Sequence, residues 1–327
     1  MNTVDFQVLN NALGWLAQGK AVALVTIVRT WGSAPRPLGS LFAVSMEGDF
    51  AGSVSGGCIE DDLIRRFSAQ FPEKIEVIRY GLSAEEGRHF QLPCGGTLEL
   101  LVERLNDLEM LQQLIHAIST RQLIERRLNV QSKKSQICIT RKDSPLSFHN
   151  GELRQVFGPS WRLLMIGAGQ VSEYLAQMAP SLNFAIFLND PRIEQRQNWQ
   201  GGEVCWLDGM PDDAVLAFLP DQRTVIVTLS HDPKIDDMAL MEALKTNAFY
   251  VGAIGSHASA AKRRERLLTL DVSAAELAHL HAPIGLPIHS HTPAEIAISI
   301  LAELVMCRNQ QLAKSPLSSC SLASACK

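Results

Sequence analysis

No run of roughly 18 apolar residues, the length a membrane span needs, occurs in the 327-residue sequence. No signal-peptide pattern opens it either. The first stretch, MNTVDFQVLNNALGWLAQG, reads instead as an amphipathic helix with Val4, Val8, Leu9, Leu13 and Leu16 on one side. The seven cysteines (Cys58, Cys94, Cys138, Cys205, Cys307, Cys320 and Cys326) are odd in number, widely scattered and form no CxxC pair. That argues against both a zinc ribbon and a disulfide scaffold. A net charge of −4 without a long basic stripe gives no support to nucleic-acid binding. There is no internal repeat. What remains is a globular protein, 46% hydrophobic, expected in a reducing cytoplasm with neither membrane nor nucleic acid as partner. Its length exceeds what one ordinary core fills, so two domains are expected.

Residues 1–150 mix strand and helix signals and are expected to form an N-terminal mixed α/β domain. AVALVTIVRT reads as a buried strand, and SLFAVSMEGDFAGSV as a hairpin turning at Glu47-Gly48-Asp49. Cys58 to about Gln70 has helical spacing of Ile59, Leu63 and Phe67. KIEVIRY and TLELLVERL are further strands, followed by a helix near 107–119 and a polar strand region. The turn-rich stretch 145–160 is expected to be the domain boundary. From 158 to 312 the rhythm becomes βαβ. RLLMIG, FAIFLND, EVCWL, TVIVTLS and AFYVGAIG are short apolar strands separated by helical segments. This pattern predicts a Rossmann-like, doubly wound parallel sheet covered on both faces. Residues 313–327, small and polar, are expected to be a disordered tail.

The second domain opens with Gly167-Ala168-Gly169-Gln170-Val171-Ser172, after a strand and into a helix. In that context glycines permit a tight turn and close approach of a phosphate to a helix N-terminus. Ser172 stands at the third position, where a small residue serves helix–strand packing. Asp190 supplies the acid expected about 20 residues on, and Arg192 beside it could hold a phosphate. Nucleotide binding and a packing-only turn both fit. YVGAIGSHASAAKRR repeats the strand–glycine–helix junction, with Gly252 and Gly255 able to turn amides outward and Ser256 able to cap the helix. Lys262, Arg263 and Arg264 read mostly as a solvated helix face. His231 with Asp232 and Asp236 could be an acid/base pair or an ordinary loop histidine. His279, His281, His289 and His291 alternate as metal ligands sometimes do, but no carboxylate or cysteine accompanies them by spacing.

In the first domain, GSVSGGCIE places Gly56 and Gly57 before Cys58, and QLPCGGTLELL places Gly95 and Gly96 after Cys94. A tight turn with a small buried cysteine is one reading. The other is a ligand site, because glycine lets a bound group approach bare peptide and a helix N-terminus favours thiolate. Glu60, Asp61 and Asp62 partly oppose that thiolate. Arg36, between prolines in TWGSAPRPLGS, is a stiff arm for a cation. Soft sulfur, glycine amides and an arginine together suit an anionic small molecule bearing sulfur or metal.

These stretches together resemble the XdhC/CoxI family, the xanthine dehydrogenase accessory proteins. The resemblance rests on GSAPRPLGSLFAV, GSVSGGCIE and PCGGTLELLVE in the first domain. In the second it rests on MIGAGQVSEYLAQMA, NDPR, VTLSHDPKIDD, YVGAIGS, HAPIGLPI and TPAEIAISILAEL. It covers almost the whole chain in order. It implies a molybdenum cofactor (molybdopterin) chaperone that assists sulfuration by a cysteine desulfurase and delivers the cofactor to a xanthine dehydrogenase-type apo-molybdoenzyme. It also implies that Cys58, the cysteine of the SGGC motif, is the one tied to cofactor binding. The cofactor-binding candidates are Cys58, Gly56, Gly57, Cys94, Gly95 and Arg36, with Gly167, Gly169, Ser172, Asp190, Arg192, Gly252, Gly255 and Ser256 in the second domain. Two departures, Ser172 and the His289-Ser290-His291 stretch after GLPI, leave the second domain's ligand open between a pterin phosphate and a nucleotide, or neither. An NAD(P)-dependent oxidoreductase is the alternative reading, and a scaffold recruiting both partner enzymes is a third. A homodimer is left open.

Overall fold

A computed structural model describes residues 4–314, except 33, 35, 82–95, 141 and 142. The described chain divides into two compact units, meeting in sequence between Pro159 and Ser160.

The N-terminal unit is built on a five-stranded antiparallel sheet. Its strands are β1 (Val22–Trp31), β2 (Leu41–Ser45), β3 (Phe50–Gly52), β4 (Glu76–Tyr80) and β5 (Thr97–Leu105), in spatial order β3-β2-β1-β5-β4. The period-two alternation of β1 explains why it is apolar throughout. Ala23, Val25 and Ile27 face one core with Ile59, Leu63 and Phe67 of helix α2 (Cys58–Ala69). Val22 and Leu24 face the other, with Val8, Leu9 and Ala12 of α1 (Val4–Ala17) and Leu111 and Leu114 of α3 (Leu108–Ser119). Val4, expected on the buried side of α1, is 54% exposed.

Residues 145–160, expected to be turn-rich, are mostly sheet up to Phe157, and the division between the units falls at their end, between Pro159 and Ser160. Strands β8 (Ser147–His149) and β9 (Glu152–Phe157) join β6 (Leu123–Asn129) and β7 (Lys134–Thr140) in a four-stranded antiparallel sheet ordered β7-β6-β9-β8. The turn residues Asn150 and Gly151 form its hairpin, both at positive φ. Arg126 of β6 and Glu103 of β5 tie the two sheets through a bidentate ion pair at 2.7 and 2.5 Å, both side chains almost fully buried.

The C-terminal unit is a six-stranded parallel sheet. Its strands β10 (Trp161–Ile166), β11 (Phe184–Asn189), β12 (Cys205–Trp206), β13 (Thr224–Thr228), β14 (Tyr250–Ala253) and β15 (Leu280–His281) lie in the order β12-β11-β10-β13-β14-β15. This is the doubly wound arrangement, with the order reversing beside β10. One face packs on α4 (Gln170–Met178) and α10 (Pro293–Lys314), the other on α6 (Pro211–Phe218), α7 (Pro233–Ala243) and α8 (His257–Thr269), and two short helices, α5 (Ile193–Gln197) and α9 (Ala274–Leu277), lie in the connections. The two-residue strand β15 carries too little periodicity for the sequence to announce it. Helix α10 reaches Lys314, and the rest of the expected tail lies outside the described residues. No helix among the described residues is long and apolar enough to cross a membrane.

Candidate functional site

Register places the first candidate site at one end of the N-terminal sheet. Trp31 pairs with Thr97, Tyr80 with Leu98, and Phe42 with Gly52. The end of β1, the start of β5, the end of β4 and the β3 exit into α2 therefore share that end. Gly32 lies against Gly96, whose Cα would be 3.4 Å from a Cβ at position 32. Ala34 packs on the same core as Val54 and Ile59, which draws the Arg36 loop toward the turn before Cys58. Arg36 is exposed and makes no ion pair among the described residues. Cys94 and Gly95 lie outside the described residues.

Cys58 is the first residue of α2, a free, partly exposed cysteine. Its thiol has no hydrogen-bond partner among the described residues. The two glycines before it need their lack of a side chain for conformation. Gly56 has φ 104° and Gly57 φ 149°, and no atom lies within 4 Å of where either Cβ would be. Their amides are not left free for a bound group. Both donate to the carboxylate of Glu60, Gly56 N–H at 3.1 Å and Gly57 N–H at 2.8 Å. The amides of Val54 (2.7 Å) and Ser55 (2.8 Å), the Ser53 hydroxyl (2.7 Å) and the Ser55 hydroxyl complete six bonds. Glu60 is only 6% exposed. Burial pushes its pKa up, yet the hydroxyls of Ser53 and Ser55 and the surrounding amides outweigh it and hold the group well below the usual carboxylate range. The role expected of Gly56 and Gly57 as direct anion contacts is thus corrected: an anion is already there, and it belongs to the chain. Farther along α2, the Tyr80 hydroxyl donates to Asp62 at 2.8 Å and fixes the helix to β4.

The second candidate site is the crevice at the carboxyl ends of β10, β11 and β13. Gly167, at φ 103°, is demanded by packing: a Cβ would come within 2.5 Å of Ser230 Cα and N. Gly169 caps α4 with open space beside it, the geometry a bound group would use. Ser172 is fully buried and its hydroxyl donates to the Gly167 carbonyl at 2.5 Å, so it serves the turn rather than a ligand. Asp190 is likewise engaged by its own chain. It accepts from Ala168 N–H at 2.8 Å and from Arg192 Nε and Nη2 at 2.9 and 2.7 Å. Burial opposes its charge, but the Arg192 guanidinium and these amides hold its carboxyl below the ordinary range. The acid expected about 20 residues after the glycines is therefore covered, and Arg192, expected to hold a phosphate, is its cover.

At the next junction, Gly252 lies within the sheet, in register with Val227 and His281, and a Cβ there would meet Ile284 Cδ1 at 2.6 Å and Tyr250 Cε1 at 2.7 Å. Ser256 caps α8 by accepting from Ser259 N–H at 3.1 Å, and Gly255 precedes it at φ 152°. The expected basic face is largely internal. Arg263 pairs with Asp236 at 2.9 Å and with Asp237 at 3.3 Å, and Arg264 donates to the Leu277 and Leu280 carbonyls. Only Lys262 of the three is exposed. Asp236 is thereby structural and no acid/base partner of the exposed His231. His281 was read without a carboxylate, because its partner Glu303 is 22 residues away, on α10, at 3.0 Å from Nδ1. His289 and His291 are exposed, and no three potential metal ligands cluster among the described residues.

Two family models match the chain, one described as the XdhC and CoxI family over residues 15–81 and one as the XdhC Rossmann domain over 163–304. A protein of Escherichia coli (strain K12) named "Molybdenum cofactor insertion chaperone PaoD" is 28% identical over 312 residues, covering 93% of this chain and 89% of its own. A protein of Bacillus subtilis (strain 168) named as a probable subunit of xanthine dehydrogenase is 25% identical over 335 residues, covering 94% of this chain and 98% of its own. A crystal structure from Bacillus halodurans, described as a xanthine dehydrogenase, superposes with a TM-score of 0.71 at 23% identity, over 95% of this chain and 98% of that one. It shares the fold. With the SGGC turn in the first matched segment and the glycine turn of the doubly wound sheet in the second, the chain belongs to the XdhC and CoxI family.

Proposed function

We propose that this protein is a molybdenum cofactor chaperone: it binds the cofactor, assists its sulfuration by a cysteine desulfurase, and passes it to a xanthine dehydrogenase-type apo-molybdoenzyme. The relatives named as an insertion chaperone and as a probable subunit of xanthine dehydrogenase support the client class. The observation that carries the reading is Cys58, a partly exposed thiol without a partner among the described residues, on the first turn of a helix. The sulfur there is a soft donor for molybdenum or for sulfur. Arg36, exposed at the same end of the sheet, is a cation for the anionic part of the cargo. The proposal extends to a cytoplasmic protein, with a nucleotide or pterin phosphate in the crevice beside Gly169 and homodimerisation as further parts of the reading. The oxidoreductase alternative has less support, since Asp190 is bonded within its own chain.

The test is Cys58→Ser in the full chain. The change is nearly isosteric, so a structural cysteine costs only about 1 kcal/mol. The expected variant is folded, retains little pterin and does not activate an apo-molybdoenzyme. Wild-type pterin content in that variant refutes the assignment.

A further inference from the structure

Glu60 is a buried carboxylate that the chemistry above does not use, and its surroundings are unusual for a helix N-terminus. The side chain at the third helical position normally reaches back to one capping amide. Here it gathers four consecutive amides, Val54 to Gly57, and the hydroxyls of Ser53 and Ser55. The Ser55 hydroxyl also accepts from Ile59 N–H at 3.2 Å, so the turn and the first turn of α2 are laced together. A run of amides converging on one point is an anion cradle. Its occupant is fixed covalently two residues from Cys58.

We propose that Glu60 is a positioning residue: as an internal anion it fills the 53–57 cradle, fixes the Cys58 thiol at the mouth of the turn, and keeps phosphate out of it. A ligand then meets this turn through a thiol-seeking metal or sulfur, and its phosphate is held elsewhere. The proposal rests on the reading of Cys58 given above, but the placement of the thiol can be tested without the cofactor. Charge-assisted hydrogen bonds are stronger than neutral ones, and six of them, four from backbone amides and two from hydroxyls, close a turn whose glycines would otherwise be free to move. Glutamine in place of Glu60 has the same shape, but its amide nitrogen cannot accept from the Ser55 hydroxyl or Gly57 N–H.

The experiment follows alkylation of Cys58 by iodoacetamide, peptide by peptide, in full-length protein. The exposed Cys138 and Cys205 serve as internal controls. In Glu60→Gln the Cys58 rate is expected to rise about ten-fold, as the turn opens locally, while the two controls are unchanged. Millimolar inorganic phosphate is expected to leave the wild-type rate unaltered. An unchanged Cys58 rate in folded Glu60→Gln overturns the positioning role, and so does protection of wild-type Cys58 by phosphate, which would make Glu60 a displaceable plug. Ser53→Ala removes a single donor and gives a smaller rise in the same direction, so the test does not depend on Glu60→Gln folding. Pterin content separates the two ideas. If Cys58→Ser keeps its pterin while Glu60→Gln still changes the alkylation rate, the chaperone assignment of Cys58 fails and the positioning of its thiol stands.

Discussion

Gly167→Ala and Gly169→Val fall in the same turn, yet should behave as opposites. At Gly167, φ is 103°, where an L side chain is strained by about 1–3 kcal/mol. The added methyl would also meet Ser230 Cα and N at 2.5 Å, and backbone cannot rotate away as a side chain can. Overpacking of that kind adds about 1–3 kcal/mol, so a loss near 4 kcal/mol is expected. At Gly169, φ is −97° and ψ −178°, extended backbone that valine adopts, and its Cβ would have no neighbour within 4 Å. The cost there is the poorer cap, about 1 kcal/mol. For a unit of this size each kcal/mol moves the midpoint by about 2–4 °C, so Gly167→Ala should lower the transition by about 8–16 °C and Gly169→Val by about 2–4 °C. Calorimetry of the full-length protein reads the affected transition directly. The same valine, projecting into the open space beside the helix N-terminus, should abolish any thermal stabilisation that an added nucleotide gives. Equal shifts for the two variants, or a larger one for Gly169→Val, would refute the assignment of Gly167 to packing and Gly169 to a ligand.

Arg126→Ala should cost about 3–5 kcal/mol in urea unfolding, because it leaves Glu103 charged and buried, whereas replacing both partners by apolar residues should cost much less. A single-variant loss below about 1 kcal/mol would show that the pair is solvated. The folded-state pKa of Glu60 lies below its ordinary 4.5, so its charge stabilises the fold fully above that value, and the contribution is lost as pH falls toward the folded-state pKa. The stability difference between wild type and Glu60→Gln should therefore be constant above about pH 5 and shrink in more acidic solution; a difference that grows on acidification contradicts the hydrogen-bond arrangement.

Much of the architecture was legible because it is local. The strand β5 coincides with TLELLVERL, the β2–β3 hairpin turns at Glu47-Gly48-Asp49, and α2 begins at Cys58. The alternation of short apolar strands and helices sufficed for a doubly wound parallel sheet, though not for its strand order. Failures arose where a partner is distant in sequence or where polarity misleads. Residues 145–160 are rich in turn formers, yet β9 alternates buried and half-buried positions against β6, and only that pairing makes it a strand. Arg263 looked solvated because Asp236 and Asp237 are on another helix, and His281 looked solitary because Glu303 is on α10.

The site residues show the same limit in sharper form. In each unit the sequence of a glycine turn before a helix is compatible with a tight packing turn or with amides awaiting an anion, and in each a carboxylate of the chain has taken amides of that turn. Glu60 takes those of Val54 through Gly57, and Asp190 takes that of Ala168. Glycine spacing reports that the backbone can turn; it does not report what the turned amides bind. The distinguishing signal for the first turn was present in the sequence, an acid three residues after the glycine that caps the helix, the position from which a side chain reaches back to a capping amide. In sequence it is hidden by Asp61 and Asp62, which make Glu60 one of three acids in a row. In the second turn one feature escapes its internal carboxylate, the open space beside Gly169 at the helix N-terminus. In the first it is the sulfur of Cys58. Neither feature is a property of the glycine spacing itself, which reports only that the backbone turns.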